Sequence, residues 1–236
     1  MALPKLAIKT YSTQLPTTKQ TVEYRAYTVK EEKAMLMASQ SEKPAEQMLA
    51  VFNMVNSCIV TENIDCKKIA QADLEWIFLQ IRAISVGETT KIGHTCKACS
   101  NEFSVEIDIS SIKPLFKDGH VLEHLVNETV GMRFKLPTAE MAINQEEKSD
   151  IAQFFHIVEQ CVTHIWDGDT VYKVGMDITL QEVSEFIEQL DQITFNKILE
   201  ATFSNAPKIS HQLVMKCPKC KEQEEITVEG LLNFFS

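Results

Sequence analysis

Glycine and proline are scarce, seven of each in 236 residues. That leaves no room for long flexible or low-complexity tracts. Loops that cradle phosphates or present a serine nucleophile need glycines at fixed spacing. No Gly-x-Gly-x-x-Gly, phosphate loop or Gly-x-Ser-x-Gly occurs. Basic residues are also in short supply: 23 Lys and Arg stand against 33 Asp and Glu, a net charge of −10. This argues against general nucleic-acid binding, which needs a basic surface. No stretch approaches the ~20 apolar residues of a membrane-spanning helix. The opening Met1–Pro16 lacks the apolar run of a signal peptide, so neither membrane nor secretion is expected. With 44% hydrophobic and 24% charged residues, a soluble globular protein with a substantial core is expected.

Cysteine is what the chain has in quantity. Seven is an odd number, and it comes without a secretion signal. That fits a reducing compartment, where paired cysteines more often hold metal than form disulfides. Four of them form two Cys-x-x-Cys turns, Cys96-Lys97-Ala98-Cys99 and Cys217-Pro218-Lys219-Cys220. Each is flanked by strand-like segments, Lys91–Thr95 with Phe103–Ile109, and Ile209–Lys216 with Ile226–Val228. A Cys-x-x-Cys turn aims two sulfurs at one point. Two such turns can place four thiolates about 2.3 Å from a tetrahedral Zn²⁺. Lys91, Lys97, Lys216, Lys219 and Lys221 stand near enough in sequence to offset the excess negative charge.

The spacing departs from a compact zinc module. Residues 100–216 separate the two pairs, against the ~15–20 residues usual between paired cysteines. Ser100 and Lys221 also occupy the position after the second cysteine where many knuckles have glycine. The middle of the chain therefore reads as an insertion between two halves of a zinc-ribbon-like module. A mixed site using His94 or His211 is an alternative, as are four plain thiols. Redox chemistry is less suited, because both motifs lie between strands rather than at a helix start. Cys58, Cys66 and Cys161 read as packing residues.

His120-Val121-Leu122-Glu123-His124 matches the inverted zinc-protease pattern H-x-x-E-H. On a helix its imidazoles would share a face, Glu123 would activate water, and Glu200 could serve as third ligand. Opposing this, the stretch from Gly119 to Gly131 has only weak helical periodicity. His156 and His164 read as ordinary surface or boundary residues. Asp167 and Asp169 read as turn residues around Gly168 rather than calcium ligands. Glu222, Glu224 and Glu225 read as a solvated strand edge.

The remaining pattern predicts a hairpin over 6–28. Helices follow from the Thr28/Glu31 capping box and from Pro44, the latter with Met48, Val51, Phe52 and Val55 on one face. A clearer helix carries Leu74, Ile77, Phe78, Ile81 and Ile84 and ends near Gly87. A strand is expected at Gly131–Pro137. Beyond it, a helix capped by Ser149 is expected, with Ile151, Phe154, Phe155, Val158, Val162 and Ile165 on one side. A short strand Thr170–Val174, a second capping box at Thr179/Glu182 and a helix from about Thr194 to Phe203 complete the middle. The segment Leu231, Leu232, Phe234, Phe235 reads as a C-terminal helix.

Several segments together resemble the T4-type bacteriophage baseplate hub proteins. They are Leu3-Pro4-Lys5, Tyr24-Arg25 leading to Val29-Lys30-Glu31-Glu32-Lys33 and Met35-Leu36-Met37-Ala38, and Ile81-Arg82-Ala83-Ile84-Ser85-Val86-Gly87-Glu88 before a Cys-x-x-Cys. That family includes the hub subunit and the hub assembly catalyst of contractile-tailed phages. The resemblance is firmest over residues 1–109, and the second Cys-x-x-Cys supports it. It implies a non-enzymatic viral protein whose partners are other baseplate hub and tail proteins. It also implies a place in the host cytoplasm during tail assembly, or in the virion. The arm 1–28 and Phe234-Phe235 are candidate contact surfaces, since an arm can add a strand to a neighbour's sheet.

The expectation is an α+β fold with a helical body, drawn from residues 30–85 and 145–205, and a small β module holding structural zinc on Cys96, Cys99, Cys217 and Cys220. By segment it comprises an N-terminal β arm (1–29), helices (30–86), the first half-module (87–110), a helical insertion with short strands (111–206), and the second half-module with a terminal helix (207–236). The alternatives are a zinc metalloprotease using His120, Glu123 and His124, and a zinc-ribbon nucleic-acid adaptor.

Overall fold

A computed structural model describes residues 7–143 and 150–229. The expected Ser149 cap, the Leu3-Pro4-Lys5 opening and the Leu231–Phe235 helix lie outside them. The chain forms an α+β structure divided into two compact units. One is assembled from both ends of the chain, up to Leu115 and again from Pro207, and the other is continuous from Phe116 to Ala206.

The first unit begins with a hairpin of β1 (Thr10–Gln14) and β2 (Thr21–Arg25). Its alternation buries Val22 and Tyr24, and Leu15 follows them inward. Three helices come next, α1 (Val29–Ala38), α2 (Pro44–Cys58) and α3 (Gln71–Val86). At α1 the Glu31 carboxylate accepts hydrogen bonds from the Thr28 N–H (2.8 Å) and hydroxyl (2.5 Å), as the capping box predicts. It also accepts one from Arg25, at 2.9 Å. Burial pushes the Glu31 pKa up, but Arg25 and Thr28 override it and hold the group at about 2. The expected faces pack inward: Val51, Phe52 and Val55 from α2, and Leu74, Ile77, Phe78 and Ile81 from α3. Each such side chain contributes roughly 1.5–3 kcal/mol by leaving water.

The N-terminal hairpin is no free arm. The Thr17 N–H and hydroxyl both donate to the buried Asp73 carboxylate at the start of α3. Trp76 Nε1 donates to Thr13 Oγ1 at 2.9 Å. The far side of β2 is covered as well, because Val60 N–H reaches the Glu23 carbonyl.

After α3 the chain forms the hairpin β3 (Thr89–Thr95) and β4 (Glu102–Asp108), a 3₁₀ turn (Ile109–Ser111) and the short β5 (Pro114–Leu115). The other end of the chain later returns to this unit and lies antiparallel to β5.

The second unit is built on a four-stranded antiparallel sheet. In spatial order it comprises β6 (Glu123–Leu125), β7 (Val130–Phe134), β8 (Val162–Asp167) and β9 (Thr170–Lys173). Helices α4 (Ala139–Ile143), α5 (Asp150–Cys161), α6 (Leu180–Ile187) and α7 (Gln192–Leu199) accompany it, with a π-turn at Glu200–Ser204. Its core joins Met132, Phe134, Val158, Cys161, Val162, Ile165, Val183, Ile187 and Ile198. The Thr179/Glu182 capping box opens α6 as expected.

Two expectations need correction here. The helix from Ile151 does not run on to Ile165. It stops at Cys161, and Val162-Thr163-His164-Ile165-Trp166 is a strand, in keeping with its β-branched and aromatic content. On α5, Ile151, Phe154 and Phe155 are exposed, and Val158 and Cys161 face inward. Nor do residues 30–85 and 145–205 make one helical body; they belong to different units, and the second is organised by its sheet.

Glycine placement follows from the sheet. A Cβ on Gly131 would stand 2.2 Å from the indole of Trp166, its cross-strand partner. Gly168, at φ 55°, makes the two-residue turn from β8 to β9 possible. Asp167 and Asp169 are therefore hairpin-turn residues.

From Pro207 the chain rejoins the first unit as β10 (Lys208–Lys216) and β11 (Gln223–Glu229). Strand β10 pairs with β11 on one side and with β5 on the other.

Candidate metal centre

The two cysteine turns close the hairpins β3–β4 and β10–β11, and they are built alike. In the first, Thr95 pairs with Glu102, and Cys96-Lys97-Ala98-Cys99-Ser100-Asn101 forms the turn. Cys96 N–H donates to the Asn101 carbonyl (3.0 Å), and Ser100 N–H to the Cys96 carbonyl (2.8 Å). In the second, Lys216 pairs with Gln223. Cys217 N–H donates to the Glu222 carbonyl (2.9 Å), and Lys221 N–H to the Cys217 carbonyl (3.0 Å). Ser100 and Lys221 both adopt the left-handed conformation, φ 53° and 66°. The knuckle thus keeps the backbone that glycine would serve, at the steric cost of a side chain there.

Each turn buries its first cysteine, Cys96 and Cys217, and leaves the second, Cys99 and Cys220, more open. Close sulfur contacts run between the hairpins. Cys96 Sγ lies 3.6 Å from Cys220 Sγ, and Cys99 Sγ lies 3.7 Å from Cys217 Sγ. All four sulfurs fall within 4.8 Å of one another. A tetrahedral ion with bonds of about 2.3 Å requires sulfur separations of about 3.8 Å. A disulfide requires about 2.05 Å, so these are thiols. Backbone N–H groups point into the cluster. Those of Cys220 and Lys219 help pull the Cys217 thiol down to about 6, favouring a thiolate there, whereas burial pushes the Cys96 thiol up.

One carboxylate ties the hairpins together beside the sulfurs. Glu224, on β11, accepts from the Lys97 N–H of the first turn (2.8 Å) and lies 3.1 Å from Nε2 of His94 on β3. His94 also sets its ring edge-on to Phe103. The reading of Glu224 as a solvated edge residue is thus corrected: it is mostly buried and clamps the first knuckle to the second. Its partners lie 127 and 130 residues away along the chain, so no local pattern announces it. His94 faces this carboxylate, and neither it nor His211 belongs to the sulfur cluster. Among the lysines proposed to offset charge, Lys221 turns its ammonium to the Pro218 carbonyl at 2.9 Å.

The H-x-x-E-H residues are not brought together as a metal site. Glu123 and His124 are neighbours on β6, so their side chains leave opposite faces. Glu123 pairs with Arg133 at 2.7 Å. His124 Nε2 lies 2.7 Å from Thr202 Oγ1 and 3.1 Å from the Val121 carbonyl. Burial lowers the pKa of both His120 and His124. Among the described residues, Glu200 forms no metal-competent cluster with them. His156 sits beside Gln160, and His164 beside Thr163. The remaining cysteines are packing groups. Burial pushes the Cys58 thiol to about 11, and those of Cys66 and Cys161 to about 12.

The molecule is therefore a two-unit α+β protein. Its one cluster of metal-competent side chains among the described residues is a set of four thiols. The chain matches the family described as T4 bacteriophage base plate protein over residues 8–236, and it belongs to that family. No curated protein and no solved structure matches it. Among the described residues no helix is long and apolar enough to cross a membrane.

Proposed function

We propose that this chain works without catalysis in the baseplate hub, as a hub subunit or an assembly factor. In this reading it acts through contacts with other tail proteins, and zinc on Cys96, Cys99, Cys217 and Cys220 locks its fold. The observation that carries the zinc reading is the convergence of four thiols from hairpins more than 100 residues apart in sequence. Zinc suits an all-thiolate tetrahedron, and four protein ligands leave no open place for water or substrate. Such a site is structural, and the pair of hairpins around it is then a zinc-ribbon-like module split by the residues between them. The hub role rests on family membership together with the resemblance of residues 1–109 to hub proteins. The host cytoplasm, where tails are built, is the setting this role requires.

Cross-linking mass spectrometry on tail-assembly intermediates and on mature particles tests the role. Cross-links to hub proteins in the intermediates are expected, and their persistence in particles separates a subunit from a transient factor. Cross-links confined to proteins outside the hub would overturn the reading. Peptidase activity that disappears in Glu123→Gln would overturn the non-catalytic part.

A further inference from the structure

Strand β1 leaves one long side of its hairpin open. Leu15 N–H donates to the Gln20 carbonyl, and this sets the alternation. Thr13 and Tyr11 aim their backbone groups at β2, while Gln14, Ser12 and Thr10 aim theirs away from it. The opposite strand agrees. Glu23, across from Ser12, also points outward, and there its N–H meets Thr61 Oγ1 and its carbonyl the Val60 N–H. The far side of β2 is thus covered. The outward N–H and C=O groups of Thr10, Ser12 and Gln14 meet no partner among the described residues.

Sheet edges are normally guarded by charge or cover. Other edges of this molecule are. Glu102, Glu106 and Asp108 lie along β4, and Glu225 and Glu229 along β11. On β9, Asp177 engages both the Lys173 N–H (2.8 Å) and the Lys173 carbonyl (2.9 Å). Strand β1, Thr-Tyr-Ser-Thr-Gln, has no charge, no proline and no bulge, and Thr10, Ser12 and Gln14 are exposed. Lys9, just before it, holds its ammonium over the Tyr11 ring at 4.8 Å.

This edge fits an extended, uncharged strand whose outward groups recur at every second residue. Strand β1 itself meets that description. Laid antiparallel on a second copy, with Ser12 opposite Ser12, Thr10 of each faces Gln14 of the other. Three outward residues then meet three, which makes six backbone hydrogen bonds about a two-fold axis. A shift to Thr10 opposite Ser12 loses one of the three pairs. The two Glu23 carboxylates would stand three strand spacings apart, about 14 Å, beyond the range of unscreened repulsion.

We propose that two copies of this chain pair through β1, antiparallel and centred on Ser12, joining their hairpins into one four-stranded sheet. The seam is small, so the dimer is weak and concentration-dependent. The proposal goes beyond the hub role and is independent of whether zinc is bound.

Sedimentation equilibrium and amide exchange on the full chain test it. Dimer should grow with concentration, and the N–H groups of Thr10, Ser12 and Gln14 should gain protection in step with it. Ser12→Lys or Ser12→Glu alone sets like charges face to face on the axis. Each should weaken dimerisation about tenfold or more, with melting temperature as in the parent. Mixing the two variants should restore pairing as a heterodimer. Ser12→Pro removes an N–H that the hairpin does not use, and it should abolish the dimer while the hairpin survives. Protection of these N–H groups at every concentration would assign the edge to the chain's own residues 1–6. Protection that comes only with other baseplate proteins would assign it to one of them. Either result would overturn the proposal, as would a chain that stays monomeric at millimolar concentration or a dimer indifferent to Ser12→Lys.

Discussion

The two units solve the same problem by different means. The second is one continuous stretch, and its sheet and helices close over a shared apolar core from Met132 to Ile198. The first is assembled from segments at both ends of the chain. Its late strands β10 and β11 must find β5 and the earlier knuckle across the whole second unit. Closing so long a loop costs entropy before any contact repays it. A metal held by both knuckles, as proposed, would supply a strong, specific long-range contact at that place. The four-thiol cluster stands where chain continuity fails, and among the described residues the continuous unit holds no such cluster.

The largest expected effect breaks the first unit alone. Cys96→Ser or Cys217→Ser should release the metal and lower the melting temperature of the first unit by about 10 °C or more. Hydrogen exchange should rise in β3–β4 and β10–β11 and stay unchanged in β7 and β8. Phe134→Ala is the reciprocal test. Phe134 is buried and meets His124 and Phe203 edge-on, so truncation should cost about 3–5 kcal/mol in the second unit. Metal content should not change. Uniform loss of protection across both units in either variant would remove the distinction.

A finer cut separates the clamp from the ligands. Glu224→Gln keeps the shape but weakens acceptance from Lys97 N–H and His94, and it should reduce zinc affinity 10–100-fold in chelator competition. An unchanged affinity would make Glu224 a bystander.

Buried Glu75 probes the helical part of the first unit. Burial raises its pKa from 4.5 to about 7, although Gln71 donates to it. A carboxyl raised on folding favours the folded state below its unfolded pKa, and this advantage is lost as pH rises through 4.5 to 7. Glu75→Gln should therefore stabilise the protein by about 1–3 kcal/mol at pH 8 and have little effect at pH 4.5, read by urea unfolding. The smallest effect is at the knuckles. Ser100→Gly or Lys221→Gly relieves a left-handed residue and should stabilise the first unit by about 1 kcal/mol.

Much of this was legible in the sequence wherever the signal is local. The Thr28/Glu31 and Thr179/Glu182 boxes fix two helix starts because both partners lie within one turn. The cysteine hairpins are readable because strand, turn and strand are contiguous. Val162 and Ile165 mislead because 158, 162 and 165 also fit a helical period, and only pairing with β7 and β9 decides for strand. Partners such as Glu224 and Lys97 meet only once the chain is folded, and no spacing rule reaches them.

X-ray absorption at the zinc edge, on the full chain purified without added metal, tests the central claim most directly. The account predicts one zinc per chain with four sulfur neighbours at about 2.3 Å. A metal-free, stably folded protein, or a metal ligated by nitrogen and oxygen in place of sulfur, would contradict it.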